Sequence, residues 1–172
     1  MNSKEFIQLQ VNGETRDLAV PPAKLLLDVL REDLGLTGAK RACDDSSCGA
    51  CAVLVDGVPI LSCVAIASCY QDSEILTVEG IAPPGELTPV QESYAAAGGS
   101  QCGFCTPGFM ISIKALLDRN PHPTDEEIRM ALSSNFCRCT GYMQIYESVR
   151  LAIVRSSCPP ASAVATLSRV ER

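Results

Sequence analysis

Ten cysteines, eight of them in two spaced quartets, constrain this 172-residue chain more than any other feature. The first quartet reads Cys43-x4-Cys48-x2-Cys51-x11-Cys63, and the second Cys102-x2-Cys105-x31-Cys137-x-Cys139. Residues 1–17 carry charged and polar side chains where an export signal needs an apolar run. The protein is therefore expected to be cytoplasmic, where thiols stay reduced and clustered cysteines read as metal ligands rather than as a disulfide framework. The longest apolar stretch, residues 60–69, contains Ser62 and Ser68 and falls short of the roughly 18 residues a membrane span needs.

The first three cysteines of the first quartet have the C-x4-C-x2-C spacing of a plant-type [2Fe–2S] site, with the fourth ligand arriving from further along the chain. Two sulfide-bridged irons want four soft thiolates around a compact anionic core, and backbone N–H groups of a tight loop stabilise the charge. Gly49 lets the backbone approach without a Cβ. A structural zinc site favours paired knuckles over one triple-cysteine loop. In the second quartet, Cys102-x-x-Cys105 alone is compatible with zinc, thiol redox or iron–sulfur chemistry. Each cysteine pair there precedes a predicted helix start, at Thr106-Pro107 and Thr140-Gly141, so two positive helix ends are expected to face one anionic cluster.

The rest of the pattern sets the frame. Alternating runs over residues 6–20 flank Asn12-Gly13, and Cys51-Ala-Val-Leu-Val55 and Val58-Pro-Ile-Leu61 flank Asp56-Gly57; both predict β-hairpins. Between them, Leu26, Val29, Leu30 and Leu34 predict one face of a helix stopped at Gly35, and Glu74-Ile-Leu-Thr-Val78 predicts a further strand. Prolines in residues 81–86 mark a linker. Beyond it, Thr88-Pro89-Val90-Gln91, Thr106-Pro107, Thr124-x-x-Glu127 and the period of Tyr142, Ile145, Val149, Ala152 and Ile153 predict four helices. The predicted division is residues 1–80 for a small sheet with one helix, 81–86 for the linker, 87–155 for a helical unit and 156–172 for a tail.

A net charge of −6 without a Lys/Arg-rich run argues against nucleic acid and anionic membranes. Cys69, in an apolar run, reads as a buried core thiol, and Cys158 lies in the predicted tail; neither is assigned as a ligand. His122, the only histidine, reads as a solvated loop residue. With no second histidine, no G-x-G-x-x-G and no P-loop, the chain is expected to perform no bond chemistry of its own.

Gly38-Ala-Lys-Arg-Ala-Cys43, Cys48-Gly-Ala-Cys-Ala-Val-Leu54, Gln101-Cys-Gly-Phe-Cys-Thr-Pro-Gly108 and Asn135-Phe-Cys-Arg-Cys-Thr-Gly-Tyr142 resemble the iron–sulfur subunit or domain of the xanthine oxidase family of molybdenum hydroxylases. The resemblance covers residues 5–155. It implies an α+β chain, an N-terminal plant-ferredoxin-like β-grasp domain followed by an all-α four-helix [2Fe–2S] domain. It also implies a heteromeric oxidoreductase in which electrons pass from molybdopterin on a large subunit, through both clusters, to FAD on a medium subunit. By position, Gln101 and Cys139 are the residues implied to contact the pterin side. The loop Cys43-Asp-Asp-Ser-Ser-Cys48 departs from the Gly- and Glu-containing form common in the family, which puts Asp44 or Asp45 forward for a left-handed conformation. Two alternatives remain open at this point, a stand-alone two-cluster ferredoxin and a subunit of a reductive enzyme of the hydroxybenzoyl-CoA reductase type; a zinc-stabilised interaction module is a third, more distant reading.

Overall fold

The computed structural model describes residues 4–157, so Cys158 lies outside the described residues. Strands β1 (Glu5–Val11) and β2 (Glu14–Val20) form an antiparallel hairpin. Its turn residues Asn12 and Gly13 both have positive φ, 53° and 77°, which suits the right-handed twist of the strands. Strands β3 (Ala52–Val55) and β4 (Val58–Leu61) form the second hairpin around Asp56 and Gly57, again at positive φ. Strand β5 (Glu74–Leu76) joins the two in the order β2-β1-β5-β3-β4, parallel to β1 and antiparallel to β3. It is shorter than the sequence pattern predicts because the Thr77 N–H donates to Asn12 Oδ1 (2.8 Å), after which the chain coils into a 3₁₀ turn at Val78–Gly80.

The predicted helix exists but winds differently. One α turn, α1 (Leu26–Asp28), continues as a π-helix over Val29–Asp33, and the Leu34 N–H donates to the Val29 carbonyl. The wider winding turns Leu27 inward along with Leu26, Val29 and Leu30, while Leu34 stays partly exposed. These side chains pack with Ile7, Leu9, Val53 and Ile75 into the first core.

Helices α2 (Pro89–Ala96), α3 (Thr106–Arg119), α4 (Asp125–Leu132) and α5 (Met143–Ser157) make up the second half. Thr88 with Gln91 and Thr124 with Glu127 close capping boxes at α2 and α4. Helix α5 starts later than Thr140-Gly141 predicts, because Gly141 and Tyr142 take left-handed conformations (φ 63° and 70°) that a helix cannot contain. Strand β3 serves both halves: Val53 and Val55 point into the first core, and Ala52 and Leu54 pack with Phe109, Ile113 and Leu116 of α3. Ile81, first residue of the predicted linker, is buried in that second core. No helix among the described residues is long and apolar enough to cross a membrane.

Two candidate iron–sulfur sites

The first cysteine loop is anchored before it begins. Arg31 Nη1 donates to the carbonyls of Thr37 (2.8 Å) and Ala39 (2.7 Å), and the Lys40 N–H to the Ala50 carbonyl (2.9 Å), so residues 40–50 leave and return to one place. Within the loop, the left-handed positions are Ser46 (φ 61°) and Gly49 (φ 70°), not Asp44 or Asp45. The Asp45 carboxylate accepts from the Ser47 N–H (3.2 Å) and Ser47 hydroxyl (2.7 Å), an Asx turn that places Ser46 at its centre. The fourth cysteine is delivered by residues 61–67, fastened to the start of α1 by Leu26 N–H to Ala65 O (2.7 Å) and Leu27 N–H to Ser62 O (3.0 Å). The buried Ser62 hydroxyl donates to the Cys51 carbonyl (2.6 Å), holding Cys51 and Cys63 together.

In the second half, Cys105 is the N-cap residue of α3 and Cys102 stands one turn before it. Cys137 and Cys139 come from the loop between α4 and α5. Helix α3 has a cysteine as its N-cap residue, whereas α5 starts four residues after Cys139.

The eight thiols meet two by two. Cys43 contacts Cys48, Cys51 contacts Cys63, and Cys105 contacts Cys137, while Cys139 Sγ lies 3.6 Å from Cys102 Sγ. No three His, Cys, Asp or Glu side chains among the described residues converge on the point a single ion would occupy. Burial pushes the Cys51 thiol up to about 11 and Cys105 up to about 12. The Cys43 thiol is lowered by its contact with the Cys48 thiol and by the Cys48 N–H. At Cys137 burial is outweighed by donors: the Thr140 hydroxyl at 3.2 Å and the N–H groups of Thr140 and Cys139 bring the thiol below its ordinary value. Soft sulfur donors in two pairs, with N–H and O–H groups aimed at them, fit a binuclear iron–sulfide core.

The two sites are locked to each other. The Phe136 N–H donates to the Cys48 carbonyl (3.0 Å), and buried Asn135 donates from Nδ2 to the Gly49 carbonyl (3.3 Å) while its Oδ1 accepts from the Ser112 hydroxyl (2.7 Å). A cleft of about 520 Å³ runs from Cys48 and Ala50 to all four cysteines of the second quartet. Cys102 and Cys139 are exposed, as is Gln101 beside them, and Phe104, Phe136 and Met143 are also exposed. The sequence assigned no role to Asn135 or Ser46 and read Thr140 only as a helix start; Asn135 stood next to Phe136-Cys137 in the motif but carried no local signal of its long-range role. Cys69 is exposed rather than buried: Ala67 takes the inward position of the 3₁₀ turn Ala67–Tyr70 and turns Cys69 outward. His122 is exposed.

Residues 9–74 match the family described as 2Fe-2S iron-sulfur cluster binding domain, and residues 77–150 the family described as [2Fe-2S] binding domain. The chain is 48% identical to the nicotinate dehydrogenase small FeS subunit of Eubacterium barkeri over 153 residues, covering 89% of this chain and 98% of that one. It is 46% identical to the nicotine 6-hydroxylase small subunit of Paenarthrobacter nicotinovorans, covering 83% of this chain and 86% of the relative. Among solved structures, quinoline 2-oxidoreductase from Pseudomonas putida 86 superposes with a TM-score of 0.86 at 37% identity, covering 90% of this chain and 96% of that chain. Aldehyde oxidoreductase from Desulfovibrio desulfuricans gives 0.85 at 42% identity over 89% of this chain but only 17% of the longer one. With both [2Fe–2S] domains present and relatives that are small subunits of multi-subunit enzymes, the chain belongs to the xanthine oxidase family of molybdenum hydroxylases, as its electron-transferring iron–sulfur subunit.

Proposed function

We propose that Cys43, Cys48, Cys51 and Cys63 hold one [2Fe–2S] cluster, that Cys102, Cys105, Cys137 and Cys139 hold the other, and that the chain relays electrons from molybdopterin on a large subunit to FAD on a medium subunit. The observation that carries this reading is the pairing of the thiols two by two, as two irons each taking two thiolates require. When bound, such a cluster takes up and releases single electrons. The polypeptide's own work is to fix the thiols, to aim N–H and O–H donors at them and to hold the two sites at one separation through Asn135 and Phe136.

Exposure supports one polarity for the relay. Cys102, Cys139 and Gln101 stand at the surface, so this edge is assigned to the molybdopterin side, with Cys139 both ligand and exit toward the pterin. The exposed Phe104, Phe136 and Met143 supply apolar surface for the large subunit to cover. The β-grasp half, residues 1–80, is assigned to the flavin side, the four-helix half, residues 87–155, to the pterin side, and the assembly to the cytoplasm.

The test is analytical. The assembled complex is expected to contain about four irons per copy of this chain with matching acid-labile sulfide, and two distinct [2Fe–2S] signals on reduction. Stoichiometric zinc without sulfide would overturn the reading.

A further inference from the structure

Tyr94 sits on the inner face of α2 with 2% of its surface exposed. Its phenol oxygen is buried and, among the described residues, has no hydrogen-bond partner. A hydroxyl withdrawn from water and left unpaired is destabilising, and a phenylalanine would fill the same space without that penalty. The ring is well fixed. Gly99 makes room for one edge, since a Cβ there would lie 2.8 Å from Tyr94 Cδ1, and the Gly99 N–H donates to the Tyr94 carbonyl (2.9 Å).

The core that holds the ring also reaches the second cysteine site. Tyr94 belongs to the same packed cluster as Phe109, Tyr142 and the partly buried Cys105 and Cys137. Cys105 and Cys137 are the ionisable side chains whose charge would be felt at the phenol. A phenol is protonated near neutral pH, so this hydroxyl is a buried donor without an acceptor among the described residues.

We propose that the Tyr94 hydroxyl donates a hydrogen bond to the sulfur shell of the second [2Fe–2S] centre, on its Cys105/Cys137 side, and raises the reduction potential of that centre. The proposal rests on the reading of Cys105 and Cys137 as ligands. Reduction adds negative charge, a donor hydrogen favours the more negative form, and burial from water strengthens the effect.

The test uses Tyr94→Phe in the assembled complex, followed by redox titration of both cluster signals and by thermal denaturation. The midpoint of one signal is expected to shift to lower potential, with the other unmoved and the melting temperature not raised. Cys105→Ser identifies which signal belongs to the second site; if it leaves both signals unaltered, the ligand assignment fails whatever Tyr94 does. If it alters one signal, an unmoved midpoint of that signal in Tyr94→Phe overturns the proposal, and a raised melting temperature beside it shows the hydroxyl unpaired in the loaded protein. Equal shifts of both signals also overturn it, because a hydrogen bond at one site cannot move the other.

Discussion

Gly108, in the first turn of α3, lies so close to Gly49 in the first cysteine loop that a Cβ on Gly108 would stand 2.3 Å from the Gly49 carbonyl oxygen. A Cβ on Gly49 would in turn meet the Ser134 carbonyl oxygen at 2.3 Å. Backbone meets backbone at the junction of the two sites, and neither partner can swing aside as a flexible side chain would.

Gly108→Ala should therefore force the first cysteine loop away from α3. The cost is expected to be about 1–3 kcal/mol, as for other overpacked sites, and to appear as a lower melting temperature and faster loss of iron from the assembled complex. An unchanged melting temperature would mean the loop yields freely, contrary to the close contact.

Asn135→Ala removes the donor to the Gly49 carbonyl and the acceptor of the Ser112 hydroxyl at once. Leaving such buried groups unpaired costs about 1–3 kcal/mol. Hydrogen exchange at the Phe136 amide, which is held by the Cys48 carbonyl, should accelerate; exchange as slow as in the wild type would show that Asn135 does not hold the junction.

At the start of α4, pH should report on two carboxylates. Asp125 is lowered by the Arg150 guanidinium, and Glu127 by the Thr124 N–H and hydroxyl. A depressed carboxylate stabilises the fold fully above its unfolded value and loses that contribution as pH falls through the folded one. The difference in denaturation midpoint between wild type and Arg150→Gln should be constant near neutrality and shrink below about pH 4. Thr124→Ala should cost about 0.5–2 kcal/mol at neutral pH, as loss of a cap does, and its deficit should shrink over the same acid range. A difference that grows toward acid would reverse the sign argued here.

The order of the two sites makes the wiring testable by cutting it. In the assembled complex, Cys43→Ser should leave the second site reducible by substrate while flavin reduction becomes very slow. Cys102→Ser should block substrate reduction of both the remaining cluster and the flavin. Rapid-mixing spectra separate these outcomes, and normal substrate-driven flavin reduction in the Cys102 variant would rule out the proposed direction.

What sequence alone determined is what a few adjacent residues can encode. Asn12-Gly13 and Asp56-Gly57 specify their turns because the positive φ is a property of those dipeptides, and Thr88/Gln91 and Thr124/Glu127 specify helix starts because both partners lie within one turn. The Cys43-x4-Cys48-x2-Cys51 spacing named its chemistry for the same reason, while the second quartet's spacing alone left zinc and thiol redox open. Even locally, competition between neighbours was invisible: the Asx turn at Asp45 moved the left-handed residue to Ser46, and the outward face of a 3₁₀ turn exposed Cys69. Tertiary structure decided everything that needed distant partners. Asn135 and Gly49 are 86 residues apart, and their contact exists only because β3 buries Ala52 and Leu54 against α3, which brings Gly108 onto the first loop. The burial of the Tyr94 hydroxyl in the core that also packs Cys105 and Cys137 depends likewise on how α2 packs, since helical periodicity states which face turns inward but not what waits there.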